Sequence, residues 1–166
     1  ADFNSPFEEF ALVEELRLLC RDESALIEQR TALINQLRSA LREYYPAALE
    51  AFAEWTQTPA WRFVLRFPTA EALQKAGRRQ WEKWLHAHRL WRPQTAEARL
   101  AIFARATEFT GGVAQIAAKS LLAQSCARLL CTLQDQLDEY RRRIEELFDR
   151  HPDSGLFGSL PGVGPK

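Results

Sequence analysis

From Ser5 to Tyr44, apolar residues recur at three- and four-residue steps: Leu12, Val13, Leu16, Leu19, Cys20, Leu26, Ile27, Leu33, Ile34, Leu37, Leu41 and Tyr44. That spacing predicts one long amphipathic helix with a single apolar stripe. Ser5-Pro6-Phe7-Glu8 signals its start, with a capping hydroxyl, a proline at the first helical position and a carboxylate three residues after the cap. Two charges interrupt the stripe. Glu23 and Arg30 lie on the same heptad step as Leu16, Leu37 and Tyr44, and a charge at the centre of an apolar face must be paired or stay wet.

A second long helix is predicted from Val113 to about Asp149, where Ile116, Ser120, Ala123, Ala127, Leu130, Leu137, Ile144 and Phe148 share one heptad step. At about 1.5 Å per residue each long helix spans roughly 55–60 Å, so the two form a matched pair. Between them the pattern breaks into shorter pieces. Tyr45-Pro46 is a kink, Ala47 to Trp55 a short continuation, and Thr58-Pro59 a new start that runs to Phe67-Pro68. Thr69 caps a further helix whose buried face holds Leu73, Ala76, Trp81, Trp84 and Leu85. Trp91-Arg92-Pro93 reads as a turn, Thr95 or a neighbour opens another helix, and Gly111-Gly112 ends the unit.

The fold expected is all-α: two long antiparallel coiled-coil-like helices with a small tryptophan-rich helical unit inserted between them. The divisions are 1–55 for the first long helix with its kinked extension, 56–110 for the basic tryptophan-rich unit and 111–150 for the second long helix. Residues 151–166 form a linker and the start of a helix-hairpin-helix-like element, in which Leu160-Pro161-Gly162-Val163-Gly164 would let backbone N–H groups approach a phosphate.

Composition sharpens this outline. Seven glycines in 166 residues, with 46% apolar content, suit a helical domain with a real core. No apolar run spans a membrane and no leader pattern is evident, which predicts a soluble, untargeted, cytoplasmic protein with no membrane partner. Cys20, Cys126 and Cys131 sit on apolar helical positions without metal or disulfide spacing, as core thiols in a reducing compartment do. The chain has no methionine, begins at Ala1 and stops at Pro165-Lys166 as a new element opens, so it is expected to be a piece of a longer protein.

A net charge of zero conceals a division. Residues 1–55 hold eleven acids and five bases, 56–110 four acids and ten bases, and 111–166 seven of each, giving −6, +6 and 0. All five tryptophans, Trp55, Trp61, Trp81, Trp84 and Trp91, fall in or beside the basic third. Arginine and lysine neutralise phosphates and exposed aromatics stack on unpaired bases, so Arg78, Arg79, Lys83, Arg89 and Arg92 are candidate nucleic-acid contacts. The alternative is that the tryptophans form a core and the bases keep it soluble. Catalytic signals are lacking: His86 and His88 point to different faces, and no His, Cys or carboxylate set has metal spacing.

Four stretches together resemble a known family: CRDESALIEQRTALINQLRSAL from Cys20, REYYPAALEAF from Arg42, FPTAEALQKAGRRQWEKWLHAHRLWRP from Phe67, and the ending HPDSGLFGSLPGVGPK. In this order they resemble the insertion-sequence one-ten family of DEDD transposases, described as bridge-RNA-guided recombinases. The most specific parts are IEQRTALINQL and FGSLPGVGPK. The resemblance implies a whole protein in three parts: a nuclease domain with four metal-binding acids, a helical coiled-coil region, and a domain bearing a catalytic serine. This chain corresponds to the middle part, so no catalytic or metal-binding residue carries over and the divalent metal belongs to the nuclease domain. Gly162 and Gly164, with Leu160 and Val163, match the family's hairpin motif and would bind phosphate.

The expected function is therefore a coiled-coil dimerisation and nucleic-acid contact region of an insertion-sequence transposase that performs DNA recombination. Its partners would be a second copy, DNA and structured RNA, with the protein associated with the bacterial nucleoid when acting. The rival is a purely structural helical spacer. The dimer interface expected is Leu16, Glu23, Leu26, Ile27, Arg30, Leu33 and Leu37, with Glu23 of each copy against Arg30 of the other where two helices cross antiparallel. The alternative is that Arg30 snorkels and Glu23 stays at a wet edge.

Overall fold

The computed structural model describes residues 5–106 and 112–150. Within them the chain is all-α, with six helices and no strand: α1 (Pro6–Tyr44), α2 (Pro46–Ala51), α3 (Thr58–Arg66), α4 (Ala70–Ala87), α5 (Pro93–Arg105) and α6 (Val113–Arg150). Helix starts follow local chemistry. Ser5 Oγ accepts from Glu8 N at 3.2 Å, and Thr69 Oγ1 accepts from Ala72 N at 3.0 Å. Tyr45, before Pro46, leaves the helical region at φ −144°, ψ 56° and separates α1 from α2.

Three element boundaries differ from expectation. Helix α2 ends at Ala51, because Phe52 turns extended and the Trp55 indole donates to the Phe52 carbonyl at 2.8 Å in place of a further helical turn. Helix α5 begins at Pro93, a residue expected in the turn before a start at Thr95 or a neighbour: the proline occupies the first helical position, where its missing N–H is no loss. Helix α4 is broken at Gly77, whose φ of 79° and ψ of 173° only glycine adopts readily.

The chain forms two compact units. In the first, residues 6–30 of α1 run antiparallel to residues 132–150 of α6, and Leu12, Leu16 and Cys20 pack with Ile144 and Leu147. The second comprises residues 31–131 and holds the larger core. Its centre is aromatic: Phe63 touches the rings of Tyr45, Phe52, Phe67, Trp81, Trp84 and Phe103. Burial raises the thiol pKa of both Cys20 and Cys126, so these core thiols stay protonated.

Two adjacent tyrosines in the second unit are satisfied unequally. Tyr44 Oη donates to the Pro68 carbonyl at 2.8 Å, whereas the Tyr45 hydroxyl, in a residue only 1% exposed, has no hydrogen-bond partner among the described residues. A buried donor without a partner destabilises the fold by its desolvation cost. Tyr45→Phe is expected to stabilise the chain by about 1 kcal/mol and Tyr44→Phe to destabilise it by a similar amount. Urea melts followed by tryptophan fluorescence check both, and destabilisation by Tyr45→Phe would contradict the assignment.

Candidate nucleic-acid interface

The basic residues of the second unit divide into those held by the protein and those left to solvent. Arg78 lies between Glu82, at 2.8 Å, and Glu97, and these hydrogen bonds raise its pKa. Arg105 pairs with Glu50 at 3.2 Å and Lys75 with Glu71 at 3.0 Å. Arg99 is half-buried; it donates to the Ala51 carbonyl at 3.1 Å and lies 4.3 Å from the centre of the Phe52 ring. Desolvation lowers its pKa. Each of these side chains has a partner within the chain.

Arg62, Arg79, Lys83 and Arg89 are exposed and form no ion pair among the described residues. Arg79, Lys83 and His86 follow one another at helical steps of four and three on α4 beyond Gly77, so they share a face. That face ends in an aromatic pair, His86 stacked on Trp91 with ring centres 4.7 Å apart. Arg92 is exposed beside it and donates to the Trp91 carbonyl at 2.9 Å. Trp91 is half-buried, whereas Trp55, Trp61, Trp81 and Trp84 are core residues. The tryptophans are thus chiefly structural, and Trp91 alone among them has surface to offer.

Of the residues expected to bind nucleic acid, the structure brings Arg79 and Lys83 onto one face and commits Arg78 to two carboxylates. Gly162 and Gly164 lie outside the described residues. Arg62, which sequence reasoning left out of the site, is brought beside Arg89: Thr58, Pro59, Arg62, Ala87, His88 and Arg89 line a notch of about 330 Å³. The start of α3 and the end of α4 are separate in sequence, and nothing in their spacing announces the meeting.

The expected dimer-interface residues are used largely within the chain. Leu16 and Leu37 are fully buried in the cores of the first and second units. Glu23 is 4% exposed and accepts from Arg141 Nη2 at 3.1 Å, while Arg30 Nη1 donates to Gln134 Oε1 at 2.8 Å. Both interrupting charges therefore find partners on α6, and neither needs a second copy to be satisfied. Leu26 and Leu33 are half-buried and Ile27 is 36% exposed.

Over 154 residues the chain is 29% identical to the 44.8 kDa protein of insertion element IS116 from Streptomyces clavuligerus, an alignment covering 93% of the chain and 38% of that protein. The chain is related to insertion-element proteins. A protein of Streptomyces coelicolor named as a mini-circle transposase for IS117 is 29% identical over 161 residues, with the same two coverages. The 43.6 kDa protein of insertion element IS110 from the same species is 26% identical over 155 residues, 92% of the chain and 38% of that protein. These relatives bear out the family resemblance read from the sequence. The chain spans about two fifths of their length (38%). No family model and no solved structure matches it. Among the described residues no group of three or more His, Cys, Asp or Glu side chains could hold a metal, and no helix is long and apolar enough to cross a membrane.

Proposed function

We propose that this chain is the helical nucleic-acid contact and self-association region of an insertion-sequence transposase, with the chemistry of DNA recombination performed by other parts of the protein. The observation that carries the reading is the separation among its bases: Arg79 and Lys83 share an exposed face without carboxylate partners among the described residues, while neighbouring Arg78 is held by Glu82 and Glu97. Free cations on one face are what a polyphosphate backbone requires. The similarity to insertion-element proteins supports DNA as the partner of the whole protein; structured RNA belongs to the proposal through the family resemblance.

Fluorescence anisotropy with labelled single-stranded RNA and DNA tests the reading. Arg79→Gln with Lys83→Gln is expected to weaken binding roughly tenfold near 0.1 M salt and to flatten the log–log salt slope by about 1.4, two contacts at about 0.7 each. Arg78→Gln is expected to change affinity less than twofold. Equal losses from both variants, or no binding by the unaltered chain, would favour the purely structural spacer. Light scattering on the same samples reads self-association through Leu26 and Ile27 of the first unit: a dimer mass at high micromolar concentration is expected, and a monomer removes that half of the proposal.

A further inference from the structure

The notch between α3 and the end of α4 is lined by two arginines and, among the described residues, by no Asp or Glu. Arg62 comes from the first turns of α3 and Arg89 from the residues just past α4, so like charges from separate elements converge on one concavity. Elsewhere, four arginines that reach from one helix to another meet an acid: Arg78 meets Glu97, Arg105 meets Glu50, Arg141 meets Glu23 and Arg143 meets Glu15; Arg30 and Arg99 meet the oxygens of Gln134 and Ala51. Two cations that share a notch without an acid repel each other, and an anion seated between them offsets that repulsion.

The walls of the notch are firmly held. His88 stacks on Trp84 with ring centres 4.4 Å apart, and its Nδ1 lies 2.9 Å from the Trp84 carbonyl. A carbonyl can only accept, so Nδ1 carries the proton and Nε2 is the remaining polar atom of the ring. Thr58 adds a hydroxyl at the start of α3, a helix whose flanking Gln57 makes no side-chain cap. Arg89 has φ 57°, in the left-handed region, just after the close of α4, where Leu90 N donates to Leu85 O at 2.8 Å. Glycine is the residue such a helix end favours. An arginine there adopts a costly backbone conformation while lining the notch.

We propose that this notch is a phosphate-binding site, with Arg62 and Arg89 as its two ligating cations, and that it takes a backbone phosphate of the bound nucleic acid. The proposal rests on the nucleic-acid reading above and adds to it a defined phosphate position away from the Arg79–Lys83 face. Free pyrophosphate presents the same oxyanion chemistry and serves as the second probe.

The test uses the whole chain and its variants R62Q, R89Q and R89G, with labelled single-stranded RNA titrated at several salt concentrations. Each variant is expected to lose five- to tenfold in affinity and to flatten the salt slope by about 0.7. R89G should also melt at a higher temperature than the unaltered chain, because glycine relieves the left-handed backbone. Weaker binding by a more stable protein is an outcome a merely structural arginine does not give. If RNA binds and all three variants keep the original affinity and slope, the notch is overturned while the nucleic-acid reading stands. If RNA does not bind the unaltered chain, that reading fails and pyrophosphate decides the notch. A rise in melting temperature with pyrophosphate that R62Q abolishes keeps it as a small-anion site, and no rise overturns it.

Discussion

Phe63→Ala should remove about 3–5 kcal/mol from the stability of the second unit, among the largest losses expected from a single side chain of this protein. Phe63 is fully buried, and six aromatic rings surround it with centres between 4.7 and 6.2 Å away. Those rings come from the α1–α2 junction, the segment after α2, and α3, α4 and α5, so truncation leaves a void that no one element can close. The cost combines lost transfer energy with the cavity left behind. Phe63→Leu keeps most of the volume and should cost about 1–1.5 kcal/mol. Denaturant melts followed by tryptophan fluorescence suit the test, since Trp81 and Trp84, stacked on each other, both meet the Phe63 ring edge-on. A loss under about 2 kcal/mol for the alanine variant would mean that the surrounding rings collapse into the space, and the core would then be a looser assembly than the ring geometry implies. Domains of this size are stable by only about 5–15 kcal/mol, so the expected loss is enough to disturb the surface that carries Arg79 and Lys83.

What could be read from the sequence was what local chemistry decides. The Ser5 and Thr69 caps and the Tyr45-Pro46 break announce themselves within a few residues, and the structure has all three. Two long helices follow from periodicity alone. Gly77 was not legible, because the apolar spacing of Leu73, Ala76, Trp81 and Trp84 looks the same whether the helix runs on or kinks, and only the demand that both halves reach one core decides it. The end of α2 was hidden for a related reason: its stop depends on the Trp55 indole folding back onto a carbonyl. The candidate site was half visible. Composition marked the basic third, but which arginines stay free depends on where Glu50, Glu82 and Glu97 arrive in space. Glu23 likewise signalled that a partner must exist without naming it, since Arg141 lies 118 positions away.

That pair should respond asymmetrically to substitution. Arg141→Met is expected to destabilise the first unit by about 2–4 kcal/mol, because it strands a carboxylate that is 4% exposed in an apolar stripe. Glu23→Leu should cost less than about 1 kcal/mol, or stabilise, since leucine continues the run from Leu16 and the Arg141 side chain, already 29% exposed, can turn its head to water. The double variant should then lie close to the unaltered chain, showing that the ion pair contributes little net stability. What it supplies is register. Sliding α6 along α1 would leave Glu23 without Arg141 and would also separate Arg30 from Gln134 and Glu15 from Arg143, whereas an all-apolar seam tolerates several alignments. The double variant should therefore be as stable as the original but less uniquely packed, visible as doubled or broadened amide signals from the first unit in NMR spectra. Protein concentration separates this account from the two-copy pairing that the bare sequence suggested. A pair made within one chain gives an Arg141→Met loss that is the same at 1 and 100 µM, while a pair made between copies gives a loss that changes with concentration by mass action. A concentration-dependent loss would return Glu23 to an interface between subunits; a constant one fixes it as the residue that aligns α1 with α6.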